Sequence, residues 1–326
     1  MLPNHCDQAR PLQSIDVLIG VGSNKTSTII TFVDADPLAS TRSFVANLST
    51  TYHRYKLRTF AADFEGPEDQ PAYQALRHTL GELLEVTAAT AAAAIQAPAT
   101  LPAWLIRYQN RHLDSCVNAL REDRALPLPS TVDGPQERTY AELLDEMSVG
   151  HPELRSALEA GGRHIFEAYA DTALRDEYNA LKHGNRVATS NFRAQTDGAE
   201  FSYERALIFQ ALHRIDTQGS AGHVLQWSIH PVDLPSLYAQ IDLCLRWLDV
   251  LHWTLRWLHD VDATAPHPGY PSLEDVNRVW DSGSHVMVLT QQVTSGSRLL
   301  DDGHRRTAVP LSADLTLPDG AKRRER

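Results

Sequence analysis

The stretch from Pro235 to Val261 sets Leu237, Ile241, Leu245, Leu248, Leu251, Leu255 and Leu258 near heptad spacing, and Trp247, Trp253 and Trp257 widen the apolar surface. A repeat near 3.5 residues keeps one stripe of a helix apolar along its whole length, so this segment reads as a long helix that needs a partner surface. Two partners fit. One is the core of its own chain; the other is a second copy, a homodimer face, since so many large apolar groups exceed the needs of one core. A membrane surface fits poorly, because the polar side carries Asp242, Asp249 and Asp260 as well as Arg246 and Arg256.

Upstream of this helix the chain reads as further helices. Asp36-Pro37 has the N-cap and N1 pattern and opens a helix to about Asp63. Pro71 opens a second, to about Gln96, whose alanine-rich end Ala88–Ala94 suits close helix packing. A third runs from about Pro102 to Glu122, with Trp104, Leu105, Tyr108, Leu113 and Cys116 as core candidates. The prolines of 125–138 mark a long loop. Thr139-Tyr140-Ala141-Glu142 is a capping box that opens a short helix. Pro152 opens another, which Gly161-Gly162 is expected to interrupt before a central helix ends at His183.

Other stretches have strand character. Ile15–Val21 and Ser27–Val33 read as a β-hairpin near the N-terminus. The turn Gly20–Thr26 has the look of a phosphate loop but lacks its glycines, and β-branched residues follow it instead of a helix. After Gly184, Val187–Phe192, Phe201–Ile215 and His223–Ile229 read as a small antiparallel insertion, although Ala206–His213 fits a helix as well. The expected fold class is therefore mainly α (α+β): a helical bundle with a small antiparallel β insertion after the central helix and a β-hairpin near the N-terminus. The expected organisation is residues 1–35 as lead and hairpin, 36–262 as the helical domain with its insertion at about 187–230, and 263–326 as a proline-containing linker, a strand at Val286–Val293 closing on the hairpin, and a disordered basic tail.

Charge narrows the function. The net charge is −11, so the broad basic footprint of a duplex-binding protein is missing. Cys6, Cys116 and Cys244 lie far apart and form neither a CxxC nor a disulfide framework, which suits reduced thiols in the cytoplasm. No leader pattern and no run of about 18 apolar residues occurs, so no membrane partner is expected. The fifteen histidines hold no HExxH, and His223/His230 and His252/His259 are each seven residues apart, two helical turns and too far to chelate as a pair. No metal and no cofactor are expected, and no GxSxG elbow is present.

Chemistry concentrates in Asp171–Arg186, DTALRDEYNALKHGNR. At about 100° per residue, Arg175, Asp176, Asn179, Lys182 and His183 share one arc of a helix, while Leu174, Tyr178 and Leu181 form the expected packing face. Gly184 stands where a left-handed C′ residue ends a helix, with Arg186 just beyond. One reading is structural: Lys182 and His183 are cations at the negative end of a helix. The other is catalytic: an imidazole that moves protons beside a guanidinium that holds a phosphate suits cleavage of RNA by its own 2′-hydroxyl.

The run Glu177–Gly184 resembles the late-helix motif of HEPN-like domains, in which a polar residue and a histidine near a helix end precede a glycine. Active members of that superfamily are metal-independent endoribonucleases, helical bundles that dimerise through this face; many relatives are inactive, and many belong to defence or toxin–antitoxin systems. The resemblance implies His183 as general acid or base, Arg175 on the scissile phosphate, Asn179 orienting one of them, and Lys182 or Arg186 steering the RNA backbone. The family pattern sets four to six residues between arginine and histidine; here seven separate Arg175 from His183. The competing reading is a non-catalytic helical protein that binds itself or another protein through Asp171–Arg186 or Leu234–Val261.

Overall fold

The computed structural model describes residues 17–24, 27–34, 37–62, 70–126, 139–183, 187–196, 199–217, 220–262, 264–281, 287–293 and 313–316. The fold is mainly helical with β additions, as the sequence predicts. A hairpin of β1 (Val17–Asn24) and β2 (Ser27–Asp34) precedes α1 (Pro37–Ala46), α2 (Thr51–Ala62), α3 (Gln70–Gln96), α4 (Leu101–Arg107) and α5 (Asn110–Arg121). Then come α6 (Tyr140–Met147), α7 (Arg155–Ala170) and α8 (Thr172–His183). Strands β3 (Val187–Thr196), β4 (Ala199–Thr217) and β5 (Ser220–Pro231) follow, then α9 (Leu234–Leu258), α10 (Leu273–Asp281), β6 (Met287–Val293) and β7 (Ala313–Thr316).

Helices α3 and α9 form the middle of the bundle. Ala88, Ala91, Ala92, Ala93 and Ala94 of α3 are all fully buried, and their small side chains let α7 and α9 approach closely. The Asp233 carboxylate caps α9 by accepting from the Ser236 amide at 3.1 Å. Leu237, Ile241, Leu245, Leu248, Leu251 and Leu255 are buried inside this one chain. The heptad stripe is thus core, and Tyr238 and Trp257 are what α9 leaves exposed among its large apolar groups. Among the described residues no single helix is long and apolar enough to cross a membrane.

Several expectations fail locally, each for a physical reason. The helix expected over 36–63 is two, because the Ser49 hydroxyl accepts from the Thr51 amide and restarts the chain as α2. The helix expected over 102–122 divides where Tyr108 turns extended, at φ −61° and ψ 146°. Gly161 and Gly162 do not break α7; they let aromatic groups touch its backbone. A Cβ on Gly162 would lie 2.0 Å from the Tyr140 hydroxyl oxygen, and one on Gly161 would lie 2.2 Å from that of Tyr270. The break falls at Asp171, whose backbone is extended at φ −65° and ψ 117° and separates α7 from α8.

The β insertion is larger than expected. Strands β3 to β7 form one antiparallel sheet in sequential order, and Ala206–His213 is strand, paired with β5 throughout and at Ala206–Phe209 with β3 as well. Strand β6 pairs with β5, not with the hairpin, through Ile229↔Met287 to His223↔Val293. Strand β7 lies within the expected disordered tail and pairs with β6. The expected linker is packed: Tyr270 is buried, the Trp253 indole donates to the Ala265 carbonyl at 3.0 Å, and α10 lies against α7 and α9. The lead at 1–12, the phosphate-loop residues Lys25 and Thr26, and the basic end Lys322–Arg324 lie outside the described residues.

Candidate functional site

Helix α8 carries two different polar faces. The one turned into the protein was unforeseen. Leu174, Tyr178 and Leu181, the expected packing face, are only half-buried, whereas Glu177 and Ala180 are buried. Glu177 takes a forked pair of hydrogen bonds from Arg77 of α3, through Nε and Nη2. His230 of β5 brings Nδ1 to 3.3 Å from the other side of the same carboxylate. The two acidic and imidazole side chains are each 3% exposed, so this triad ties α3, α8 and the sheet together away from water.

Burial would raise the Glu177 carboxyl, but the Arg77 guanidinium and His230 hold it below its ordinary value. Burial pushes His230 down to about 4, against the pull of Glu177, so the ring is neutral. With Nδ1 as the donor to Glu177, Nε2 is left buried without a hydrogen-bond partner. His252 of α9 is likewise pushed down to about 4 by burial and by Arg256.

These shifts fix a pH dependence. Both histidines titrate lower in the folded chain than the ordinary value of 6.5, so their contribution is complete above pH 6.5. It is lost as pH falls from 6.5 towards 4, where the unfolded chain takes up protons that the folded chain refuses. The depressed Glu177 adds a loss of the same sign at lower pH. Unfolding free energies from urea titrations are expected to fall steadily over this window, by on the order of 3 kcal/mol per histidine. His230→Gln should flatten part of the slope, and a profile level from pH 7 to 4.5 would contradict the buried neutral rings.

The outward face of α8 forms a pocket with α3, α5 and α7. It is an open concavity of about 610 Å³, a volume that includes its solvent-filled mouth. Arg175, Asn179 and Lys182, three of the residues singled out in the sequence, line it together with Leu174 and Tyr178. Gly81 and Glu85 of α3, Asn110 of α5 and Tyr169 of α7 complete the wall. Gly81 is needed for close approach: a Cβ there would sit 2.4 Å from Cδ2 of Tyr178, so only glycine lets that ring lie on α3.

Charges in the pocket are already organised. Arg175 pairs with Asp114, with Nη1 and Nη2 each 3.2 Å from a carboxylate oxygen, and its guanidinium lies 5.6 Å from the centre of the Tyr169 ring. The Tyr169 hydroxyl donates to the same Asp114 at 3.2 Å. Glu85 accepts from the Tyr108 hydroxyl at 3.0 Å and lies close enough to Tyr178 to raise its phenol. Burial and this carboxylate push both phenols up to about 12. Lys182 is exposed, with Nζ 5.7 Å from the Tyr178 ring centre.

His183 closes the last turn of α8, one turn beyond Asn179, and Gly184 and Arg186 lie outside the described residues. Asp176 shares the polar arc on a helical wheel but is not part of the pocket wall. The wall residues from other helices were missed. Gly81 and Glu85 sit four apart on α3, but no local pattern in α3 or α5 points to α8. Among the described residues no group of three or more metal-ligating side chains could hold a metal ion. Comparison with family models, with curated proteins and with solved structures finds no match.

Proposed function

We propose that the chain binds single-stranded RNA in the α8 pocket and cleaves it without a metal ion, as a HEPN-like endoribonuclease. The observation that carries this is the shared wall: Arg175, Asn179 and Lys182, on successive turns of one helix, line one pocket, and His183 ends that helix. In this reading His183 takes the proton of a ribose 2′-hydroxyl. The 2′-oxygen bonds to phosphorus, the bond from phosphorus to the 5′-oxygen breaks, the leaving oxygen takes a proton from water, and the His183 imidazolium gives its proton back to solvent. The products carry a 2′,3′-cyclic phosphate and a 5′-hydroxyl. Arg175 holds the non-bridging oxygens, Asn179 orients the imidazole or the phosphate, and Lys182 and Arg186 steer the backbone. Self-association, if it accompanies binding, falls to the Asp171–His183 face, since the α9 stripe is spent on the core.

Cleavage in EDTA tests the chemistry: RNA cut at an unchanged rate, leaving cyclic phosphate ends, is the expected result, and activity that disappears with the metal contradicts it. Lys182→Ala tests the place. It is expected to weaken RNA binding similarly for all sequences and to lower the slope of log affinity against log salt by about 0.7–1. An unaltered slope would take Lys182 out of the interface.

A second reading is favoured by one specific feature. Arg175 is already paired with Asp114 and stacked on Tyr169, so a phosphate must compete for it. A pocket with its guanidinium so engaged binds a ligand or a protein segment without chemistry. RNA binding with no cleavage would select this reading.

A further inference from the structure

The wall of the α8 pocket contains an acceptor where a pure phosphate site would hold only donors. The Glu85 carboxylate lines it, with one oxygen, Oε1, accepting from the Tyr108 hydroxyl at 3.0 Å. A carboxylate accepts only, and has about four acceptor positions, so positions remain on both oxygens after Tyr108 has donated. It repels a phosphate and any edge made of carbonyl oxygens, and it favours a ligand that presents N–H groups.

The other wall groups define the rest of that ligand. The wall is rich in flat groups, the rings of Tyr169 and Tyr178 and the guanidinium that Arg175 lays over Tyr169, and a planar base is the ligand shape such groups suit. Asn110 and Asn179 add amides that both donate and accept. Lys182 stands beside the ring of Tyr178 as a cation for an anionic group attached to that ring system.

We propose that this pocket is a nucleobase subsite selective for guanine, with the donor edge of the base on Glu85 and the attached phosphate on Lys182. Guanine is the one RNA base with a ring N–H and an exocyclic amine side by side, a match for the two oxygens of a carboxylate. Adenine and cytosine set a bare ring nitrogen beside their amine, and its lone pair would face the carboxylate. Uracil flanks its single N–H with two carbonyls. The inference rests on the reading that RNA enters the α8 pocket, and not on cleavage.

The test is a titration of the whole chain with the 3′-monophosphates of the four ribonucleosides. The guanosine compound is expected to bind at least about tenfold more tightly than each of the others. Glu85→Gln, which keeps the side chain's size, is expected to bring it down to their level. Equal affinities for all four in the unaltered protein overturn the proposal, and so does a guanosine preference that survives Glu85→Gln. The unaltered protein decides the matter even if the variant does not fold. RNA cleaved with no guanosine preference overturns the subsite and leaves the ribonuclease standing. A guanosine preference in a protein that cuts nothing keeps the subsite and removes the ribonuclease.

Discussion

Glu177→Ala is expected to lower the unfolding free energy by about 3–5 kcal/mol, because it leaves the largely buried Arg77 charge without its carboxylate partner. The Arg77 side chain is 10% exposed and that of Glu177 3%, so neither group is screened by solvent. The loss is not the value of one ion pair. It is the cost of a largely buried guanidinium that loses its two-point carboxylate partner, with the Asp171 charge left to offset part of it, added to a His230 ring that loses the acceptor of its Nδ1–H. Exposed pairs behave differently: Arg124 and Glu122 are 60% and 59% exposed, and removing that pair is expected to change stability by under about 1 kcal/mol. Urea unfolding of both variants makes the comparison. Equal small losses would show that the triad is not closed to water. Replacing Arg77 and Glu177 together by apolar residues of similar size should restore most of the stability, since the pair is expensive to bury in the first place.

Trp247→Ala is expected to cost a similar amount, about 3–5 kcal/mol, through a cavity. The indole is fully buried, and its Nε1–H donates to the Leu158 carbonyl at 2.9 Å. It packs edge-on against Phe166, with ring centres 6.0 Å apart, and comes within 3.3 Å of where a Cβ would stand on Gly161 and on Gly162. Backbone contact through paired glycines leaves little freedom for the surroundings to collapse into the space. Trp257, 37% exposed on the same helix, is the control, and Trp257→Ala should lose well under half as much. A Trp247→Ala midpoint as high as that of Trp257→Ala would mean that α9 does not pack against α7 as described.

Local signals made much of this fold legible. The capping box at Thr139 and Glu142 is formed in both directions, with distances of 3.2 and 2.7 Å. The heptad leucines located α9, and the alanine run located the buried end of α3. What the sequence hid was set by distant partners. Gly161-Gly162 reads as a break unless Tyr140 and Tyr270 are known to lean on it. Strand β6 reads as a partner for any edge, and only tertiary structure sends it to β5. Glu177 is the sharpest case. A carboxylate in the middle of a helix looks like a solvent group, and nothing near it in the chain reveals that Arg77, a hundred residues earlier, makes it a buried one.

The candidate site was legible on one helix only. Helical spacing grouped Arg175, Asn179 and Lys182 correctly, because residues three and four apart share a face. It could not show that Asp114 occupies Arg175 or that Glu85 joins the wall, since both belong to other helices. Those two carboxylates change the chemistry of the pocket. They turn a cluster of cations into a site with donors and acceptors, which suits a nucleotide better than a bare phosphate.

A cleavage time course in EDTA with His183→Ala beside the unaltered protein decides whether α8 carries the catalytic groups of a ribonuclease, as proposed. Both proteins should unfold at the same urea concentration, so that loss of activity is not loss of fold. The unaltered protein is expected to cut single-stranded RNA, and His183→Ala to be slower by about 10²–10⁴-fold. An equal rate in the two proteins would contradict it.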